Sequence, residues 1–233
     1  MVSLHMTDQG FILVTIDGGA ATGKSSTASA LAERYGFLHA DTGSHYRAIT
    51  KRLLEKGVSP VDNGALEKGL QEIVLTARLK DFHTMIEIDG KLYTGSEIRT
   101  DDVNDNVSRF AALPSVRSHL LDYQRRQKAF AIEHQFKGMV MEGRDIGSVI
   151  FPDAPLRIFL SADTQTRISR RAQQGEVDQI EERDRQDSGR KTAPLIKPTG
   201  AVEIDTGSFD LSQVVDIISE HINKLQSEST PVS

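Results

Sequence analysis

Residues 18–25 read Gly-Gly-Ala-Ala-Thr-Gly-Lys-Ser and fit G-x-x-x-x-G-K-[ST]. Glycines there let backbone N–H groups converge on phosphate oxygens, a helix start adds its positive dipole end, and a lysine brings a point charge to the outer phosphates. On this reading Gly18, Gly19, Ala20, Ala21, Thr22, Gly23, Lys24, Ser25 and Ser26 bind a nucleoside triphosphate, Lys24 acts in catalysis and the Ser25 hydroxyl holds magnesium. A plain glycine turn would leave the placement of Lys24-Ser25 unexplained. Three further segments set arginine or carboxylate close together: Asp41-Thr42-Gly43-Ser44-His45-Tyr46-Arg47, Glu142-Gly143-Arg144-Asp145-Ile146-Gly147, and Arg183-Asp184-Arg185-Gln186-Asp187 followed by Arg190. These are the groups that an anionic phosphoryl acceptor needs.

The elements that must position them follow from hydrophobic patterning. Phe11 to Ile16 is an apolar, β-branched run stopped at Asp17-Gly18-Gly19, as expected of a strand buried on both faces. From Ser25 the residues Ala28, Leu31, Ala32 and Tyr35 fall at helical spacing, with Gly36 as a left-handed stop. Phe37 to Ala40 reads as a second strand, Asp41-Thr42-Gly43 as a turn, and Tyr46 to Lys56 as a second helix. The rhythm changes over 61–100. There a weak helix (Ala65 to Glu72) precedes Val74 to Lys80, Thr84 to Ile88 and Lys91 to Tyr93, with Asp89-Gly90 as a tight hairpin turn. This stretch has too few large apolar residues for its own core and reads as a small antiparallel insert on the main domain. Asp101 then caps a short helix and Pro114 opens a longer one toward His134. Gly138 to Glu142, Leu156 to Leu160 and Ala201 to Asp205 are further strands, Leu211 to Leu225 is a last amphipathic helix, and Ser227 to Ser233 reads as a disordered tail. The fold class is therefore α/β: three layers around a parallel sheet, with a helical lid at about 167–190 and the core formed by 10–60 and 101–226.

Composition narrows the partners. The 28 Lys and Arg against 33 Asp and Glu give a formal charge of −5, which argues against nucleic-acid polymers or an anionic membrane as ligand. No cysteine is present, so disulfides and thiolate chemistry are excluded, and the start carries no basic region followed by a long apolar one. A cytoplasmic monomer is the expectation. No Asn/Thr-Lys-x-Asp segment for reading guanine occurs, and 233 residues leave little room for motor machinery, so a kinase of small molecules leads among phosphate-loop proteins.

Several motifs in order carry a more specific likeness. After the strand and phosphate loop come D-[ST]-G-x-x-Y-R at 41–47, S-x-x-A-A-x-P-x-V-R at 108–117, [DE]-G-R-D-[IM]-G at 142–147, F-P-D-A-P at 151–155, and an arginine-rich lid. Over about Ile12 to Ile222 the chain resembles the bacterial cytidylate kinase family. The resemblance implies transfer of the γ-phosphoryl group of ATP, with Mg2+, to CMP or dCMP. It also implies that Asp145 reads the cytosine amine with Arg117 beside it, that Thr42 helps at the base, and that Arg47 and Arg144 bind the monophosphate. Ser108, Arg183 and Asp187 match sugar-contacting positions, Arg190 belongs to the same nucleotide site, and Arg170, Arg171 and Arg183 serve the transferring phosphoryl group. The insert matches the extra element that closes toward bound CMP.

Some points depart from the family pattern or stay open. Only Ala172 to Glu182 separate Arg171 from Arg183, a short lid; Gln186 replaces a lid arginine, with Arg185 one place earlier; and the interior of the phosphate loop differs from the usual proline, serine and glycine. Asp17 has two readings, orienting magnesium-bound water or tying down the phosphate loop, while His39, His45 and His119 show no ligand spacing and read as surface or structural. Another acceptor (UMP, AMP or a small anionic metabolite) and a nucleotide-binding module with degraded catalysis are the alternatives.

Overall fold

A computed structural model describes residues 10–173 and 180–228. The first strand, β1 (Ile12–Gly18), is buried along its whole length. Alternate residues serve two layers: Ile12, Val14 and Ile16 pack with Ala28 and Leu31 of α1 (Lys24–Tyr35) and with Val214 and Ile218 of α8 (Leu211–Glu228), whereas Leu13 faces the opposite layer. That period of two, filled on both sides, is why the strand reads as one continuous apolar run.

β2 (Leu38–Asp41) leads directly into α2 (Thr42–Glu55). The Asp41 carboxylate caps this helix by accepting the Ser44 N–H at 3.2 Å, so the helix begins at Thr42 and the expected turn at 41–43 is its first turn. After α3 (Gly64–Gln71) come β3 (Leu75–Lys80), β4 (His83–Ile88) and β5 (Lys91–Leu92), with both Asp89 and Gly90 at positive φ in the turn expected there. α4 (Asp101–Ala111) is preceded by Thr100 as its N-cap residue, so Asp101 sits in the first turn and does not cap. Pro114 holds the first position of α5 (Pro114–Glu133). β6 (Gly138–Gly143), β7 (Leu156–Ser161), α6 (Thr164–Gln173), α7 (Ile180–Ser188) and β8 (Val202–Asp205) complete the chain before α8. Part of the expected lid, 174–179, lies outside the described residues, as do positions 229–233 of the expected tail; Ser227 and Glu228 are helical, since α8 runs on past Leu225.

Strand order is β3-β4-β2-β6-β1-β7-β8, with β5 on β4. The pairs from β2 to β8 are parallel and β3–β4 is antiparallel. The strands of 61–100 are continuous with the main sheet, because β4 pairs in parallel with β2 at His39 and His83. Apolar residues of 61–100 share a cluster with helices of the main domain: Leu66, Ile86, Ile88 and Tyr93 pack with Ile49 and Leu53 of α2 and Leu120 of α5. Among the described residues no helix is long and apolar enough to cross a membrane.

Candidate active site

The carboxyl ends of β1, β2 and β6 open onto one cleft, the position at which parallel α/β sheets bind ligands. β1 ends at Gly18, where a Cβ would collide with the Leu160 carbonyl of β7, so only glycine lets the loop leave the strand there. The Lys24 ammonium folds back across that loop and donates to the Gly19 carbonyl at 2.6 Å, and Thr22 Oγ1 donates to the same carbonyl at 3.0 Å. Burial, together with the nearby Arg144 charge, pushes the Lys24 amine down to about 7. Ala21 holds φ +58°, a left-handed conformation that glycine adopts more readily.

Above the loop lies a cavity of about 400 Å³ lined by residues 21–26. Arg47, Arg99, Arg144, Arg171 and Arg183 converge on it with Lys24, a concentrated positive field within an acidic protein. Ser25 is exposed to this space, and the carboxylates of Asp41 and Glu142 face it too. Ser25 thus sits where a nucleotide-bound magnesium would be held, among the oxygen donors that this hard cation takes.

A second cavity of about 100 Å³ continues from the first, sharing Arg47, Arg144 and Arg183 with it. Thr42, Ser108, Asp145, Asp187 and Arg190 line this end. Asp145 is buried and paired with Arg117, whose guanidinium lies 5.3 Å from the centre of the Tyr46 ring and whose Nη1 donates to the Ala111 carbonyl at 3.0 Å. Asp187 accepts from Arg144 Nε at 2.9 Å and also pairs with Arg190. Arg47 donates to Asn104 Oδ1 at 2.6 Å, and Thr42 Oγ1 donates to the Glu142 carbonyl at 2.8 Å. Gly143 makes the last contact possible, because a Cβ there would run into Thr42 Oγ1.

The structure brings together the phosphate loop, Thr42, Arg47, Ser108, Arg144, Asp145, Arg171, Arg183, Asp187 and Arg190, with Arg117 behind Asp145. Arg170 lies beside the phosphate loop without lining the cavity: Nη1 and Nη2 donate to Thr206 Oγ1 and O at 2.9 and 2.6 Å, on the loop after β8, and Nη1 also reaches the Ala21 carbonyl at 3.5 Å. The Arg185 side chain is 77% exposed and pairs with Glu182, and Gln186 is exposed beside it. Asp17 does not tie down the phosphate loop, the second of its two readings. Its two oxygens accept the Ile146 and Gly147 N–H groups at 2.7 Å each, and burial pushes its carboxyl up to about 6.

His39 and His45 are buried, which rules out their surface reading: His39 Nε2 lies 3.1 Å from Glu142 Oε1 and its Nδ1 3.0 Å from His83 Nδ1. Arg99 is a cavity residue that sequence reasoning did not single out, and it carries no local signal; Glu142, quoted there as part of its motif, was given no role of its own.

A phosphate loop at the end of β1, a cluster of arginines and a buried acid–arginine pair in one continuous cleft define a P-loop kinase whose acceptor is itself anionic. The cytidylate kinase family model matches residues 14–224, and the chain belongs to that family. It is 38% identical over 221 residues to a cytidylate kinase of Streptomyces griseus, covering 91% of this chain and 93% of the relative. A cytidylate kinase of Fusobacterium nucleatum is 35% identical over 226 residues, covering 92% and 99%. Among solved structures, a gluconokinase of Sinorhizobium meliloti superposes with a TM-score of 0.50 at 15% identity, covering 94% of this chain and 95% of the other, a likeness of fold alone.

Proposed function

We propose that this chain transfers the γ-phosphoryl group of ATP to CMP or dCMP, giving CDP or dCDP and ADP. The observation that carries the reading is the continuity of the two cavities, with Lys24 at one end and the Asp145–Arg117 pair at the other. A phosphate oxygen of the acceptor attacks the γ-phosphorus while the bond to the β,γ-bridging oxygen breaks. That nucleophile is already anionic, so the protein's task is to hold two polyanions in line against repulsion. Residues 18–26 hold the donor phosphates, with Lys24 on the outer ones. Arg47 and Arg144 bind the acceptor phosphate, Arg171 serves the transferring phosphoryl group from the phosphate-loop cavity, and Arg183, which lines both cavities, bridges the two ends. Magnesium bound at Ser25 would neutralise charge on the donor phosphates. Asp145 accepts from the cytosine amine, where uracil would present a carbonyl, and Ser108 and Asp187 face the sugar. The insert closes toward the bound acceptor, and the enzyme works as a cytoplasmic monomer.

The test is ADP release with magnesium ATP and, in turn, CMP, dCMP, UMP, AMP and shikimate. The expected order places CMP and dCMP first. Preference for UMP or AMP would sink the base-pocket assignment, and ATP binding without turnover on any acceptor would reduce the chain to a nucleotide-binding module.

A further inference from the structure

Asp17 ends the strand that feeds the phosphate loop, yet its side chain serves the other end of the cleft. It is fully buried, and each carboxylate oxygen accepts one backbone N–H, from Ile146 and from Gly147, at 2.7 Å. These are the two residues immediately after Asp145. They open a five-residue π-helical turn, Ile146–Ile150, whose first amides have no partner within the turn. Register explains the reach: β1 and β6 are parallel neighbours with Asp17 opposite Gly143, so a carboxylate at the end of β1 meets the backbone just as it leaves β6. Asp17 does not line the cavity above the phosphate loop.

We infer that Asp17 is a positioning residue for base selection: by fixing the two amides after Asp145 it sets the direction in which Asp145 meets the acceptor base. The inference rests on the reading of Asp145 as the group that accepts from the cytosine amine. An ionised carboxylate suits this place because it offers two acceptors to two converging donors. An asparagine offers one acceptor and sets an N–H against the other donor, so the turn shifts and Asp145 with it.

The experiment compares Asp17→Asn with Asp145→Ala, reading kcat/KM for CMP and UMP and the KM for ATP. Selectivity ratios do not depend on the fraction of protein folded, so partial destabilisation leaves them interpretable. For Asp17→Asn the CMP:UMP ratio is expected to fall about tenfold or more, with KM for CMP raised and KM for ATP within about twofold, as expected when one base-discriminating contact is lost. A lowered ratio in both variants supports the inference. A lowered ratio in Asp145→Ala with an unchanged one in Asp17→Asn overturns the inference alone. An unchanged ratio in Asp145→Ala overturns the base-pocket reading, and the inference with it. Should Asp17→Asn fail to fold, hydrogen exchange on the native, nucleotide-free protein decides. The Ile146 and Gly147 amides are expected to be as protected as the β6 amides, and exchange at open-loop rates would overturn the inference.

Discussion

The Asp184 carboxylate of α7 accepts the backbone N–H of Ala20, inside the phosphate loop, at 3.0 Å and pairs on its other oxygen with Arg167 of α6. Arg167 in turn donates to the Ala20 carbonyl at 3.3 Å, so both lid helices are tied to one residue of the loop, through the two peptides that flank it. Next to Asp184 stands Arg183, which lines both cavities. Asp184→Asn keeps an acceptor for Ala20 but loses the charge opposite Arg167. A charge-assisted bond of this kind is worth roughly 1.5–3 kcal/mol, so kcat is expected to fall about tenfold or more, with KM for ATP changing less. Steady-state kinetics on the variant check this; an unaltered kcat would deny the tie any part in placing Arg183.

Ala21 carries its left-handed backbone at a cost, since a Cβ in that region is unfavourable by roughly 1–2 kcal/mol. Ala21→Gly removes the Cβ where the conformation asks for glycine. Thermal unfolding without nucleotide is expected to shift upward by a few degrees, part of the gain being offset by the greater freedom of glycine in the unfolded chain. A lowered Tm would contradict the strain.

The Lys24 amine, pushed down by burial to about 7, meets triphosphate oxygens when ATP binds, and those anions raise it again. At pH 8 the free protein therefore holds this amine mostly neutral, and binding takes up a proton. By linkage, ATP affinity falls as pH rises from about 7. Calorimetry of ATP binding at pH 8 in buffers of different ionisation enthalpy measures the uptake directly. Lys24→Ala is expected to abolish both the uptake and phosphoryl transfer while the fold persists.

His45 is buried against Tyr123, and burial pushes its pKa down to about 4 in spite of the Asp41 charge nearby. A folded-state value below the unfolded one means that the native protein favours the neutral ring. The stability this group contributes is present above about 6.5 and is lost as pH falls from there toward 4. His45→Met, similar in volume and without a proton to gain, is expected to flatten the fall of Tm over that window. An unchanged pH profile of Tm would assign the acid sensitivity to other groups.

Most of the fold was legible because the central parallel strands β1 and β6 are buried on both faces and announce themselves as short apolar runs, each stopped at a glycine. The phosphate loop was legible residue by residue, since its chemistry is local. The boundary at Asp41 was misplaced because a side-chain cap decides it: one carboxylate oxygen on the Ser44 N–H turns an apparent turn into helix. The partners of Asp17 were not legible because 146 and 147 are more than a hundred residues away, and only the β1–β6 register brings them together. Arg170 and Arg171 are adjacent in sequence, yet only Arg171 lines the cavity, a distinction of helix face that a run of arginines hides.

The attachment of β4 to β2 has a consequence for solubility. Without it β2, whose Leu38, His39 and Ala40 are buried, would be the bare margin of the sheet, with unpaired backbone groups next to apolar side chains. The outermost strand is instead β3, where Arg78 and Lys80 stand exposed and discourage another chain from adding on. Excising 61–100 would thus leave a self-complementary margin that invites association between copies.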